Sequence, residues 1–372
     1  MKSRKRLLSL LFCMALTLVM CLAFSGSVFA ADPAPQIISS GSTVTPTAIN
    51  KIADTDSVKV YATPQTASTY SEEFTYNINA KKGTLFIHYA PTAGASCYIS
   101  NVAGATYAGS GSEDDVEYRY YYVPSSSTVK VTFTVYGAKG GSGVFSMYYA
   151  AASKSIKSGK TYIVGSPGST SASSVKIKAP AAGYLKVTAR DAIYDAYSVN
   201  VKTKGFKDWS YLSSSNNYTE YIGVKKGTYT IQLKGAELYK VKVSYVKIKE
   251  TSAKTAKSKA ASLTKNKINK GIVAVNKRKV HWYKIRNPKN QKLTLAVNAK
   301  KMSGGGSSLG KLKITCYFPD GKSSYGNLYA GTADQFKITY GKIGTTKALK
   351  GTYYIKVESQ DGSNGYYTLK WK

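Results

Sequence analysis

"GTYYIKVESQDGSNGYYTLKWK", residues 351–372, carries the reading of the whole chain. Tyr353, Ile355 and Val357 fall on one face of an extended segment, and Lys356 and Glu358 on the other. After the "DGSNG" turn, Tyr367, Leu369 and Trp371 point one way, Thr368 and Lys370 the other. A period of two is the mark of half-buried β-strands. Asp361, Gly362 and Gly365 supply residues that tolerate the positive φ of a tight loop. The stretch therefore predicts a hairpin with one buried face.

The same pattern occurs twice more. Residues 225–249, "KKGTYTIQLKGAELYKVKVSYVKIK", place Tyr229, Ile231 and Leu233, then Tyr239, Val241, Val243 and Tyr245, on single faces. Residues 125–150 do so with Val129, Val131, Phe133 and Val135, then Phe145, Met147 and Tyr149. Three strand–turn–strand segments also correspond: 72–90, 173–189 and 281–299. The middles "SCYISN" (96–101), "YSVNVKT" (197–203) and "LKITCYF" (312–318) repeat more loosely. A period of roughly 110 residues is a whole domain, since solenoid units are shorter. Short strands, frequent turn signals and little helical periodicity predict an all-β chain of three tandem antiparallel β-sandwiches with jelly-roll character. The expected boundaries are 31–150, 151–250 and 251–372, after residues 1–30. The one helix-compatible run, 252–263, has no apolar stripe and reads as a solvated linker or one short turn.

Residues 1–30 read as a cleaved secretory signal peptide. Lys2, Arg4, Lys5 and Arg6 precede an apolar run from Leu7 to Phe24, with Val28 and Ala30 at the −3 and −1 positions of a cleavage site. An uncleaved anchor is the alternative, and the "LVMC" before Cys21 lacks the small residues of a lipidation site. No later stretch is apolar enough to span a bilayer. The expectation is a secreted protein, soluble or held non-covalently at the cell wall, since no LPxTG-like motif occurs.

After cleavage two cysteines remain, Cys97 and Cys316, both in strand-like segments of different domains. They read as small buried hydrophobes without a disulfide. The net charge of +34 is unevenly spread. Residues 31–150 hold 7 basic and 9 acidic side chains, 151–250 hold 17 and 6, and 251–372 hold 25 and 4. So one-sided a surface attracts polyanions such as wall polymers or acidic glycans, or else serves solubility.

Residues 260–372 resemble a known family. The order "HWYKI", "KLTLAV", "LKITCYFPDGK", "KGTYYIKV", "GYYTLKW" looks like the bacterial pre-peptidase C-terminal domain, with looser copies over 155–250 and 36–150. The resemblance implies a small non-catalytic β-sandwich, found beside secreted peptidases and in surface proteins of anaerobic Firmicutes, that assists secretion and binds glycans or proteins. His281 stands where family members often have an aspartate.

Little in the chain suggests chemistry. His88 and His281 are isolated from each other and from carboxylates, and each reads as a surface or edge side chain. The G-x-S-x-G match at 306–310 lacks the strand–turn–helix setting of a nucleophile elbow. Glu113, Asp114, Asp115 and Glu117 form a weak calcium candidate without EF-hand spacing, or a solvated or docking loop. The chain is expected to be no enzyme and to need no cofactor, and an accessory region of a secreted hydrolase is a distant alternative. Lys254, Lys257, Lys259, Lys265, Lys267, Lys270, Lys277, Arg278 and Lys279 are the expected polyanion contacts. Trp209, Tyr211, Tyr354 and Tyr366, and one of Tyr120 and Tyr121, read as outer-face aromatics able to stack on sugar rings, or as ordinary strand residues. The expected partners are an anionic wall polymer or glycan, or a surface protein, with no specific nucleic acid. An adhesin-type stalk or assembly role is the competing reading.

Overall fold

The computed structural model describes residues 35–49, 59–67, 70–92, 94–113, 116–137, 139–193, 198–204, 206, 208–213, 219–251, 254–275, 280–303, 310–330, 333–338 and 347–372. The expected signal peptide, residues 1–30, lies outside them. The chain forms three tandem β-sandwiches, each with its own core. The first comprises β1 (Gln36–Ile37), β2 (Thr43–Val44), β3 (Thr47–Ala48), β4 (Val60–Ala62), β5 (Glu72–Ala80), β6 (Gly83–Pro91), β7 (Ser96–Ala103), β8 (Thr106–Glu113), β9 (Val116–Val123), β10 (Ser127–Tyr136) and β11 (Gly143–Ala151). The second comprises β12 (Ser153–Ser155), β13 (Thr161–Gly165), β14 (Ser173–Ala179), β15 (Gly183–Asp191), β16 (Val199–Thr203), β17 (Ser210–Leu212), β18 (Thr219–Val224), β19 (Gly227–Lys234) and β20 (Leu238–Lys247). The third comprises β21 (Ala261–Ser262), β22 (Asn269–Val273), β23 (Val280–Asn287), β24 (Leu293–Ser303), β25 (Lys311–Tyr317), β26 (Ser323–Tyr329), β27 (Ala333–Ile338), β28 (Gly351–Gln360) and β29 (Asn364–Trp371).

Strand order establishes the repeat. The second sandwich has sheets β12-β14-β19-β16-β17 and β13-β20-β15-β18, and the third has β21-β23-β28-β25-β26 and β22-β29-β24-β27. The two orders are identical, position for position. The first sandwich matches with β2-β5-β10-β7 and β1-β4-β11-β6-β9-β8, except that β8 has left the edge beside β7 to pair with β9. Neighbours run antiparallel apart from a few short pairs, among them the lead strand of each sandwich: β2 with β5, β12 with β14 and β21 with β23 are parallel.

The expected hairpin is corrected by this topology. β28 pairs with β23 and β25, whereas β29 pairs with β22 and β24, so residues 361–363 carry the chain from one sheet to the other. β10–β11 and β19–β20 cross in the same way. The reason is burial. In a hairpin, Tyr353, Ile355 and Val357 would lie beside Tyr367, Leu369 and Trp371 and both stripes would need a separate cover. In the arch the two stripes enter one core, all six side chains buried. The turn chemistry is as expected, with φ of 49° at Asp361, 72° at Gly362 and 132° at Gly365.

The tyrosines of the third core keep their hydroxyls satisfied. Tyr367 meets both His281 Nδ1 at 2.6 Å and Tyr283 Oη at 2.9 Å, and Tyr353 donates to the Leu349 carbonyl at 3.0 Å. His281 is thus a buried polar anchor and not an edge residue, and burial pushes its pKa down to about 4. Cys97 and Cys316 are free and buried, each thiol pushed up to about 12 by desolvation. The 252–263 run contains one 3-10 turn at Lys257–Lys259, but Leu263 from its end enters the third core.

The sandwiches dock. The middle one presents both edges of its sheet β13-β20-β15-β18 to its neighbours. Edge β13 lies on the outer face of β6 and β11, and edge β18 on the outer face of β22, β24 and β29. Ile163 and Leu238 meet Phe86, Tyr120, Tyr148 and Ala150 at the first junction. Thr84 Oγ1 contacts the carbonyls of Ser166 and Glu237 there, at 3.0 and 2.8 Å. At the second junction Gly223 N–H donates to Asn364 Oδ1 at 2.6 Å, Val275 N–H to the Gly223 carbonyl at 3.0 Å, and Tyr221 N–H to Ser303 Oγ at 3.0 Å. A glycine permits each approach. A Cβ on Gly165 would lie 2.1 Å from the Ala150 carbonyl oxygen, and one on Gly223 2.1 Å from that of Val273. Unpaired sheet edges invite aggregation, and docking covers both edges of this sheet.

His88 belongs to the first junction. It points away from its own core, as its parity requires, yet it is buried against Tyr118 and Tyr148, and desolvation pushes its pKa down to about 3. It is therefore no surface residue. Of Tyr120 and Tyr121, one of them expected on an exposed face, Tyr120 is covered by the same contact and Tyr121 is core.

Candidate functional site

Docking leaves the sheet β21-β23-β28-β25-β26 on the side of the third sandwich away from the junction. Its inward positions alternate with outward ones, and the registers align the outward side chains in rows. Lys284, Tyr354, Tyr317 and Ser323 form one row, and Trp282, Lys356, Thr315 and Tyr325 the next. Val280, Glu358, Lys313 and Asn327 form the third, and Lys311 lies between Gln360 and Tyr329 beyond it. Neighbours in such rows stand about 5 Å apart.

Lysines and rings are interleaved on this face. Lys257 Nζ lies 4.6 Å from the Tyr317 ring centroid and 5.1 Å from that of Tyr354. Lys313 Nζ lies 4.5 Å from the Tyr325 ring and Lys311 Nζ 5.8 Å from that of Tyr329. Trp282 and Tyr317 stack at 5.4 Å. The backbone N–H of Trp282 donates to the Lys254 carbonyl at 2.6 Å, which ties Lys254 to the β23 edge. A ring attracts an ammonium by about 0.5–1 kcal/mol at an exposed site, enough to orient it and too little to neutralise it. Glu358 is the one carboxylate among the outward side chains of these described strands, and it is held by Lys356 at 2.9 Å. The face therefore offers oriented ammonium donors beside flat rings: Tyr325 is 67% exposed and Tyr329 47%.

The expected residues distribute around this face. Lys254, Lys257 and Lys259 border it and are exposed, and Tyr354 lies on it under Lys257. Lys265, Lys267 and Lys270 are also exposed but accompany β22 and β29, with Lys265 Nζ 5.8 Å from the Trp371 ring. Lys277, Arg278 and Lys279 lie outside the described residues. The nine therefore form no single described patch. Tyr366 stacks on Tyr184 across the second junction at 6.2 Å and 15°, so the outer-face reading is corrected there: its ring is taken by a neighbouring domain. Trp209 and Tyr211 sit on the second sandwich, Trp209 with Lys202 and Lys234 Nζ at 5.8 and 5.1 Å from its ring. Lys311, Lys313, Trp282, Tyr317, Tyr325 and Tyr329 were missed by reading charge runs. Their signal is alternation: in "KLKITCY" the lysines take the parity opposite Leu312 and Ile314.

Asp114 and Asp115 lie outside the described residues, as do residues 306–309 of the G-x-S-x-G match. Glu117 accepts a hydrogen bond from the Tyr89 hydroxyl. Among the described residues no three His, Cys, Asp or Glu side chains group to hold a metal, and no helix is long and apolar enough to cross a membrane.

No known protein family and no curated protein matches the chain. Among solved structures it is similar to a triple jelly-roll protein of an archaeal virus turret, at 9% identity over 82% of each chain and a TM-score of 0.19. It is also similar to a promiscuous carbohydrate-binding module of the β-sandwich superfamily, at 12% identity over 55% of this chain and 100% of that one, TM-score 0.17. Tripeptidyl peptidase 2 aligns at 12% identity over 83% of this chain and 32% of its own, TM-score 0.20. At these scores the likenesses carry no argument about function.

Proposed function

We propose that this chain is a non-catalytic binding protein of the cell exterior that holds an anionic sugar- or polyol-based polymer on the outer sheet face of its third sandwich. The observation that supports the reading most is the interleaving of Lys257, Lys311 and Lys313 with Tyr317, Tyr325, Tyr329 and Tyr354 on a face with one described carboxylate. Ammonium groups spaced along a flat sheet match repeated phosphates or carboxylates, and the rings between them suit the apolar faces of sugars. Export by the N-terminal segment would place this face where wall polymers are. The resemblance of residues 260–372 to pre-peptidase C-terminal domains fits the same reading.

The docked junctions favour a spacer role as well. The third sandwich is held by hydrogen bonds from β18, so what binds its face is displaced from the first sandwich by a fixed body. The test is binding of the full chain to purified teichoic acid across a salt series. Retention at low salt that is lost as salt screens the lysines supports the proposal. Absence of binding at low salt overturns it.

A further inference from the structure

The three sandwiches share one strand order, so each has a sheet equivalent to the proposed binding face. In the first, β5 and β10 present Glu73, Thr75, Asn77, Lys130, Thr132 and Thr134 outward, one base against one acid. Thr75 and Thr132 bond each other at 2.9 Å. Tyr136 of β10 is outward as well and packs edge-on against Tyr98 of β7 at 6.0 Å, so that face carries hydroxyls, amides and two exposed rings with balanced charge.

The second is different. β14 presents Ser174, Lys176 and Lys178 outward, β19 presents Thr228, Thr230, Gln232 and Lys234, and β16 presents Asn200 and Lys202. Four lysines stand there with no carboxylate on these strands. Tyr211 of β17, 53% exposed, pairs with Asn200, which pairs with Lys234. Trp209 carries the Nζ atoms of both Lys202 and Lys234 within 6 Å of its ring centroid.

We propose that this face of the second sandwich, centred on Trp209, Lys202 and Lys234, is a second landing site for the same class of ligand, a polyanionic polymer with a sugar or polyol backbone. The proposal rests on the reading of the third sandwich's face as a polyanion site. The Trp209 ring supplies a platform that orients both ammonium groups, with Tyr211 and Asn200 as flanking stacking and amide contacts. The first sandwich's equivalent face takes no such ligand.

The experiment uses the full chain with poly(glycerol phosphate) teichoic acid as probe. Lys202→Gln/Lys234→Gln is expected to weaken binding about five- to twentyfold and to make the log affinity against log salt slope shallower by one to two. Retained circular dichroism and unfolding temperature would show that the fold is intact. A Trp282→Phe background, in which Trp371 is core and Trp209 reports the second sandwich, is expected to show a polymer-dependent change of tryptophan emission. That change should disappear when Lys202 and Lys234 are also replaced. If both affinity and slope stay at the parent values in the lysine variant, or if the Trp282→Phe chain binds polymer without any emission change, the second site is overturned while the first stands. If the parent chain does not bind, the reading of the third sandwich fails and this one with it. Equal binding of a DNA duplex of matched charge would mean that charge alone is recognised, which overturns the sugar or polyol part of the proposal.

Discussion

Gly223→Ala tests whether the sandwiches are docked or merely strung together. The new methyl group would meet three backbone atoms: the Val273 carbonyl oxygen at 2.1 Å, the Gly365 nitrogen at 2.7 Å and the Gly365 Cα at 3.0 Å. None of these is the end of a flexible side chain, so in the docked state the second and third sandwiches must shift against each other. Gly223 lies in a strand, where alanine is ordinarily the better residue by up to about 1 kcal/mol, so any loss comes from the contact between the two sandwiches. To admit the methyl group the docked state must loosen the bond from Gly223 N–H to Asn364 and that from Val275 N–H to Gly223, about 1 kcal/mol each. Overpacking costs a further 1–3 kcal/mol. The net loss is about 3 kcal/mol, or about a hundredfold in the equilibrium between docked and undocked states. Hydrogen exchange reads this directly. The amides of Tyr221 and Val275 bond across the junction and should exchange about a hundredfold faster in the variant, while β20 amides inside the second core change far less. Junction amides that exchange within twofold of the parent rate would refute the docking argument.

Further expectations follow from the buried polar groups. Glu220 is buried in the second sandwich near the junction, and desolvation raises its pKa to about 8. A raised carboxyl pKa means that the folded state holds its proton longer than the unfolded chain, so this group costs nothing below about pH 4.5 and progressively more up to about pH 8. Glu220→Gln should therefore raise the melting temperature at neutral pH and leave it unchanged at pH 4. His88 and His281 act in the opposite sense: their lowered pKa values, about 3 and about 4, make the fold lose stability as pH falls below the unfolded value of 6.5. His88→Phe melts should lose part of that acid sensitivity. Tyr367→Phe should cost about 1–3 kcal/mol in urea unfolding, because it leaves His281 and Tyr283 without their shared buried partner. Cys97 and Cys316 should react with a thiol reagent only at the rate of unfolding, given their burial and thiols pushed up to about 12.

Much of this fold was legible because alternation survives any way of joining strands. The inward positions Val129, Val131, Phe133 and Val135 are all fully buried, as read. Alternation is blind, however, to which sheet a strand joins, which is why an arch was read as a hairpin at 351–372. The docking left a sequence trace that a strict inside–outside reading discards. β6 is buried at every position from Gly83 to Tyr89 and β11 at every position from Gly143 to Ala150, and strands apolar on both faces are covered on both. Phe86 and Tyr148 are the side chains that make this so. The candidate face was half legible. Runs of lysine drew attention to 254–270, whereas Lys311 and Lys313 alternate with Leu312 and Ile314 and so look like ordinary strand residues until the sheet brings them beside Tyr325 and Tyr329.

Lysine footprinting of the full chain, with and without teichoic acid, tests the central claim most directly. Brief acylation followed by mass spectrometry reads each ammonium separately. Polymer should protect Lys257, Lys311 and Lys313 at low salt, leave Lys130 on the first sandwich reactive, and lose its effect at high salt. Protection spread evenly over the lysines, or none at Lys257, Lys311 and Lys313 when polymer is bound, would contradict the assignment of the face.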